Sequence, residues 1–264
     1  MIDAHCHLNF HAFEDDVEDV IKSAQKAGVT TIVNAGTQIS SSQWAVDLAE
    51  KYEGLLAIVG VHPHHADKVE KNLLEELSKL ADNPKVIGIG EIGLDYYSYK
   101  SNGIVDPKIQ EKIFREQIEL AIEKNLPLQI HNRHAGSDVI KILKDYKNQL
   151  QNPPGMFHCF AGDFTVLQDA LDLGFYLGFD GNSTYKGLAP GETVTLPDLI
   201  KATPVDRILT ETDSPYLTPI PLRGTRNVPE NVIIVTRFIA DLKDCELKAF
   251  EKIIHTNFTT CFSL

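Results

Sequence analysis

An α/β chain folded as one (β/α)8 barrel of the TIM type is the expectation from three features of this 264-residue sequence. Short apolar strands alternate with amphipathic helical stretches about eight times, as in parallel strands joined by helical crossovers. No linker, low-complexity segment or repeat beyond the strand–helix unit interrupts the alternation, so residues 1–264 read as one domain. Residues able to bind metal recur at the ends of the expected strands, which a barrel gathers at one mouth. A doubly wound open sheet is the alternative use of the same alternation.

The elements follow in order. Residues 2–8 form the first strand, on which His5 and His7 share one face and Cys6 takes the other. The spacing of Phe13, Val17, Val20, Ile21 and Ala24 predicts a helix over 13–27, with Gly28 as its stop signal. A β-branched strand over 30–34 leads to a helix over 40–52 with a Ser-rich start, stopped by Gly54. The third strand, 55–59, runs into Gly60-Val61-His62-Pro63-His64-His65, and a helix follows over 69–80. The fourth, 85–89, ends in Gly90-Glu91-Ile92-Gly93-Leu94-Asp95-Tyr96, and the looser residues 97–106 read as a lid. Pro107 suits the first turn of a helix reaching 124. Strand five (126–131), a helix (137–146), strand six (155–160), a helix (164–173) stopped by Gly174 and strand seven (175–179) come next. A polar loop over 180–195 and a short helix over 197–202 precede strand eight (207–210), which runs into Glu211-Thr212-Asp213-Ser214-Pro215. Helices over 231–242 and 245–257 complete the pattern.

With 43% hydrophobic residues the chain can fill a sizeable core. Its formal net charge of -12 argues against holding nucleic acid or an anionic membrane over a broad surface, though not against a small positive pocket. The cysteines, Cys6, Cys159, Cys245 and Cys261, are scattered without a CxxC pair, which suits reduced thiols and a cytoplasmic location. Met1 leads straight into the first strand without a basic leader, and no apolar run approaches the ~20 residues that span a bilayer. No membrane association is expected, and no protein partner is indicated.

Six residues fall at expected strand ends: His5, His7, Glu91, His131, His158 and Asp213. One histidine at a strand end is an ordinary polar residue; the recurrence is what points to metal. Four imidazoles and two carboxylates exceed the needs of one tetrahedral zinc. They suit two divalent ions roughly 3.5–4 Å apart, with Glu91 offering two oxygens as the bridge. His62 and His64 end the third strand on the same mouth, and His62 is placed against a substrate phosphate or leaving group. Arg223 and Arg226 follow strand eight, where barrels often bind phosphate, and their planar forks suit that task. Asp95 is read as orienting a neighbour rather than binding metal. Cys6 and Cys159 each flank a ligand, and alternation turns both into the core. Gly88-Ile89-Gly90-Glu91-Ile92-Gly93 matches the dinucleotide fingerprint, but no helix follows it and Glu91 would set an anion against a pyrophosphate.

Across essentially the whole chain these motifs resemble the TatD-like metal-dependent hydrolases, often described as TatD-family DNases. The resemblance rests on Asp3-Ala4-His5-Cys6-His7, Gly60-Val61-His62-Pro63-His64, Gly90-Glu91-Ile92-Gly93-Leu94-Asp95, Ile130-His131 and Phe157-His158-Cys159-Phe160-Ala161-Gly162. Glu211-Thr212-Asp213-Ser214-Pro215-Tyr216 and Arg223-Gly224-x-Arg226-Asn227-x-Pro229 complete it. It implies a barrel, a divalent-metal centre on the ligand set already reached, and phosphodiester hydrolysis. The chain departs from the family pattern at His131-Asn132-Arg133-His134, at Asn227-Val228-Pro229, and in the acidic Gly178-Phe179-Asp180-Gly181-Asn182. These departures touch substrate choice and remove no ligand.

The expected activity is divalent-metal-dependent phosphodiester hydrolysis by a deoxyribonuclease acting on short or single-stranded ends. The substrate would be DNA or a smaller phosphodiester. Asp213 and Glu91 are the catalytic carboxylates, with His62, Arg223 and Arg226 on substrate. Mg, Mn, Zn and Co all suit the mixed N/O ligand set. With so acidic a surface, attraction for DNA must come from the mouth, from the ions, Arg223, Arg226, Arg133 and Lys186. An amidohydrolase-type deacylation, such as that of aminoacyl-tRNA, is the alternative enzyme reading. A catalytically silent metal- or nucleic-acid-binding protein is the alternative outside catalysis, and the complete ligand set argues against it.

Overall fold

Runs of aliphatic and β-branched residues form the strands in a computed structural model, which describes residues 1–100 and 103–264. Among these described residues there are β1 (Ile2–Cys6), β2 (Thr31–Ala35), β3 (Leu55–Val59), β4 (Val86–Asp95), β5 (Leu128–Arg133), β6 (Gly155–Phe157), β7 (Tyr176–Phe179) and β8 (Ile208–Thr210). They lie in chain order in one sheet, and each pairs with the next in parallel. The chain then returns to β1. Cys6 bridges Ser214, His7 N–H donates to the Ser214 carbonyl at 2.7 Å, and Asp213 N–H donates to the His5 carbonyl at 3.0 Å. This closure makes a (β/α)8 barrel and rules out the doubly wound sheet, whose strand order reverses at a switch point.

The crossover helices are α1 (Val17–Ala27), α2 (Ile39–Lys51), α3 (Leu73–Ala81), α4 (Pro107–Lys124), α5 (Gly136–Tyr146), α6 (Phe164–Asp172) and α7 (Leu196–Ala202), and α8 (Val232–Leu242) and α9 (Leu247–Cys261) follow β8. Local chemistry sets their ends. Asp106 accepts Lys108 N–H at 2.9 Å ahead of Pro107, and Asn125 closes α4 in the left-handed region at φ 52°. Asp163 accepts two N–H groups, of Thr165 and Val166, to start α6. The main apolar layer lies between strands and helices. A second fills the barrel itself, where Ile2, Ala4, Val33, Ile58, Met156 and Leu209 meet Phe258, Cys261 and Phe262 from the end of the chain. That plug leaves the opposite mouth, at the C-terminal ends of the strands, for polar residues.

Four boundaries differ from expectation. The helix over 13–27 divides into a 3-10 turn at His11–Phe13 and α1. The helix over 69–80 starts only at Leu73; a separate 3-10 turn, Pro63–Lys68, precedes it and Val69 is extended at φ -73° and ψ 141°. β4 does not stop at residue 89; it keeps pairing with β5 through Ile92, Gly93 and Asp95, with a register irregularity between Ile89 and Ile92. Gly93 permits this: it sits at φ 147°, and a Cβ there would lie 1.9 Å from the His131 carbonyl oxygen. β6 conversely ends at Phe157, before Cys159 enters the left-handed region at φ 42°. Of the expected lid, residues 101 and 102 lie outside the described residues.

Candidate metal centre

The six residues at the expected strand ends converge at the open mouth. His5 is fully buried on β1, and His7 lies one residue beyond that strand's end. Their Nε2 atoms face each other at 3.1 Å. The opposite ring nitrogens are already engaged: His5 Nδ1 lies 2.7 Å from Gln129 Oε1, and His7 Nδ1 lies 2.9 Å from the Ala35 carbonyl. Both partners can only accept, so both Nδ1 atoms carry hydrogen and both Nε2 atoms of the neutral rings present bare lone pairs. Asp213 Oδ1 lies 3.5 Å from His5 Nε2 and 3.4 Å from His7 Nε2, and Glu91 Oε2 lies 3.8 and 3.5 Å from them. Two lone pairs and two carboxylate oxygens pointing at one spot fit a cation.

Glu91 presents its other oxygen to a second pair. Oε1 is 2.7 Å from His131 Nδ1 and 2.9 Å from His158 Nε2. His131 Nε2 faces the Asp95 carboxylate at 3.1 Å, so Nδ1, on the Glu91 side, is the nitrogen that would offer a lone pair to a cation. His158 stacks on His5, ring centres 3.8 Å apart. Burial works against the Glu91 carboxylate, but the surrounding His158, His62 and His131 outweigh it and hold its pKa well below the usual range. Asp213 is likewise lowered, by His5 and His7 against the cost of burial. For His158, Glu91 and Glu211 overcome burial and push its pKa well above the ordinary value. Among the described residues three sets of donors here have ligand atoms within 4.8 Å of one another: His5, His7 and Asp213; His5, Glu91 and His158, which shares His5 with the first; and His62, Asp95 and His131.

The remaining predicted residues separate into those at this cluster and those elsewhere. His62 is at it, with Nε2 3.5 Å from Glu91 Oε1. Its Nδ1 accepts the His64 N–H at 3.1 Å, so Nε2 carries the hydrogen, and burial with His131 and His64 nearby keeps the ring neutral. Asp95 is fully buried and acts as a hub, meeting His131, His64 Nε2 at 3.2 Å, Tyr97 N–H at 2.8 Å and the Tyr99 hydroxyl at 3.2 Å. Arg223 is exposed and lies over the Tyr185 ring at 4.0 Å. Arg226 is not brought to the cluster: its guanidinium forks onto Asp16 at 2.6 and 3.0 Å and donates to the Ala12 carbonyl. Arg133 is enclosed by tyrosines, over Tyr97 at 4.0 Å and donating to Tyr99 at 2.7 Å. Cys6 is buried in the core as expected. Cys159 is not, since alternation ends with β6; its sulfur lies 3.5 Å from Asn182 Nδ2, beside Asp180.

Residues that hold the candidate ligands in place escaped the strand-end reasoning. Gln129 orients His5 and donates to the Ala4 carbonyl at 3.0 Å. Its signal was available: a lone amide in Leu128-Gln129-Ile130, two residues before His131 and so on the same face. Glu211 Oε1 lies 3.5 Å from His158 Nδ1 and also accepts the Cys159 N–H. A Cβ at Gly178 would lie 2.6 Å from Glu211 Oε2, so that glycine leaves room for the carboxylate. Asp3 ties the two ends of the barrel seam, accepting Thr212 N–H at 2.9 Å and the Thr212 hydroxyl at 2.7 Å.

A closed parallel barrel with convergent imidazoles and carboxylates at its C-terminal mouth fits the class of metal-dependent hydrolases. More particularly, the chain belongs to the TatD family: the family described as TatD related DNase matches residues 2–263. An uncharacterised metal-dependent hydrolase of Bacillus subtilis, YabD, is 38% identical, the match covering 100% of this chain and 99% of the relative. A relative in Klebsiella pneumoniae named 3'-5' ssDNA/RNA exonuclease TatD is 32% identical, covering 100% and 98%. The crystal structure of YjjV, a TatD homologue from Escherichia coli K12, superposes with a TM-score of 0.89 at 28% identity, covering 100% of this chain and 98% of that one. Among the described residues no helix is long and apolar enough to cross a membrane.

Proposed function

We propose that this hydrolase cleaves phosphodiester bonds in nucleic acid, working from single-stranded or short ends, with two divalent ions at the barrel mouth. The observation that carries the reading is the division of Glu91: one oxygen faces His5 and His7 with Asp213, the other faces His131 and His158. Glu91 would bridge the two ions, with His5, His7 and Asp213 on one side and His131 and His158 on the other. Bound divalent ions at such a centre lower the pKa of water and neutralise phosphoryl charge. The protein's own groups do the rest. Gln129, the Ala35 carbonyl, Asp95 and Glu211 fix ring tautomers and orientations. Asp213, kept ionised, orients water for attack on phosphorus and accepts its proton. His62, neutral with hydrogen on Nε2, donates to a phosphoryl or leaving oxygen. Arg223 is the exposed cation beyond β8 assigned to a neighbouring phosphate, whereas Arg226 fastens its loop to Asp16. The exonuclease name of the Klebsiella relative supports nucleic acid as the substrate class. The test is hydrolysis of an end-labelled single-stranded oligonucleotide and of a model aminoacyl ester across Mg²⁺, Mn²⁺, Co²⁺ and Zn²⁺. Metal-dependent shortening of the oligonucleotide is expected; turnover of the acyl ester alone would overturn the reading.

A further inference from the structure

We propose that Tyr216 is the platform on which the unpaired terminal base of the substrate stacks, so that the enzyme reads a nucleobase as well as a phosphate. The inference rests on the phosphodiesterase reading above and extends it to the part of the substrate next to the scissile bond. An aromatic path leads out from the metal cluster. Phe10 lies face to face with His7, ring centres 4.4 Å apart and planes 7° apart. Tyr216 meets Phe10 edge-on at 6.3 Å with planes 69° apart. The Tyr216 ring therefore begins one ring beyond a residue stacked on a proposed ligand, and Asp213 and Glu91 both act electrostatically on its hydroxyl.

Tyr216 does not serve the core. It is 55% exposed, while large aromatics such as Phe13, Phe157 and Phe179 are buried. Its backbone is nevertheless fixed. Its N–H donates to the carbonyl of Asp213 at 2.8 Å, and its carbonyl accepts Asn227 Nδ2 at 2.6 Å. A rigidly mounted, exposed aromatic face beside the proposed phosphate-cleaving centre is what single-strand binders use, because every base offers a π-face. The chain's net charge of -12 leaves little general attraction for a polyanion, so a stacking contact is a salt-independent source of grip.

The test compares two single-stranded oligonucleotides, identical except that one carries a tetrahydrofuran abasic residue at the terminus to be cleaved. Wild type, Tyr216→Phe and Tyr216→Ala are assayed with metal, their folds checked by circular dichroism. Wild type is expected to show a KM roughly 10-fold lower for the base-bearing end, the scale of one base–aromatic stack. Tyr216→Phe should keep that preference and Tyr216→Ala should erase it, mainly through KM. Calorimetric affinities for deoxyadenosine monophosphate and deoxyribose 5-phosphate should follow the same order. Equal KM for both ends in wild type, or a preference that survives Tyr216→Ala, would overturn the stacking site alone. Failure of wild type to cut either oligonucleotide would overturn the phosphodiesterase reading and this inference with it.

Discussion

Glu91→Gln separates a bridging carboxylate from a merely structural one, because the amide keeps the shape and a single carbonyl oxygen. In the native chain one Glu91 oxygen lies 2.7 Å from His131 Nδ1 and 2.9 Å from His158 Nε2, and the other lies 3.5 Å from His7 Nε2. Glutamine can offer its oxygen to one of these sides; the other side then faces an NH2 group that cannot ligate a cation. One ion should therefore be lost and one retained. Removing one group that stabilises charge in the transition state costs about 2.7–4 kcal/mol. At ~1.4 kcal/mol per factor of ten, turnover should fall about 10²- to 10³-fold. The assay pairs initial rates on the oligonucleotide with metal content by mass spectrometry after gel filtration. The expected content is about two ions per wild-type chain and about one per variant, a count set by the two-ion centre proposed above. A variant that keeps both ions and turns over within about threefold of wild type would refute the bridge, since the loss worked above is at least a hundredfold.

Three further outcomes are expected. The barrel core is apolar and does not depend on the mouth, so a chelator should abolish activity while far-UV circular dichroism stays unchanged, and added metal should restore turnover; cooperative unfolding on chelation at room temperature would show a structural metal. Asp180 is fully buried, accepts Asn182 N–H at 2.9 Å, and has its pKa raised to about 8, by burial first and then by Glu211 and Asp213. A carboxyl raised in the fold contributes stability that is present below its unfolded pKa of about 3.9 and lost as pH rises towards 8, by at most ~1.4 kcal/mol per pH unit. In chelator, Asp180→Asn should thus be more stable than wild type in urea by a margin that grows between about pH 4 and pH 8, and a margin flat in pH would show that Asp180 titrates normally. Finally, with Arg226 held by Asp16 and Arg133 between tyrosines, few cations are left for phosphate. The log–log salt slope for a short single strand should be shallower than about -3, and Arg223→Gln should flatten it by one unit or less; a slope steeper than about -6 would reveal a basic track that these residues do not form.

The barrel and the convergence of the candidate ligands were legible because both follow from local periodicity. Strand–helix alternation fixes the architecture, and parallel strands in a closed sheet put all their C-terminal ends on one rim, so His5, His131, His158 and Asp213 could be grouped without knowing a single contact. Glu91 was grouped with them although it does not sit at a strand end. β4 runs four residues beyond it, and the register irregularity after Ile89 is what sets it at the mouth. Cys159 shows the limit of the same logic, since alternation says nothing past the last paired residue and β6 pairs only as far as Phe157.

What stayed hidden depends on partners remote in sequence. Nothing near Arg226 announces Asp16, which lies 210 residues away and takes the guanidinium from the mouth. The orientation of the imidazoles is hidden for the same reason, and it decides the chemistry. A histidine at a strand end is visible as a residue, but whether it offers a lone pair or an N–H to the mouth is set by what holds its other nitrogen. Here those holders are a glutamine on β5, a carbonyl on β2, a glutamate just beyond β8 and Asp95 closing β4, the one of the four that the sequence offered as an orienting residue. Gln129, the Ala35 carbonyl and Asp95 accept from the outer nitrogens of His5, His7 and His131, which leaves the inner nitrogens on the Glu91 side, where a cation would take their lone pairs. The strand ends choose the donor atoms; the ring of acceptors behind them makes those atoms donors to a cation rather than to one another.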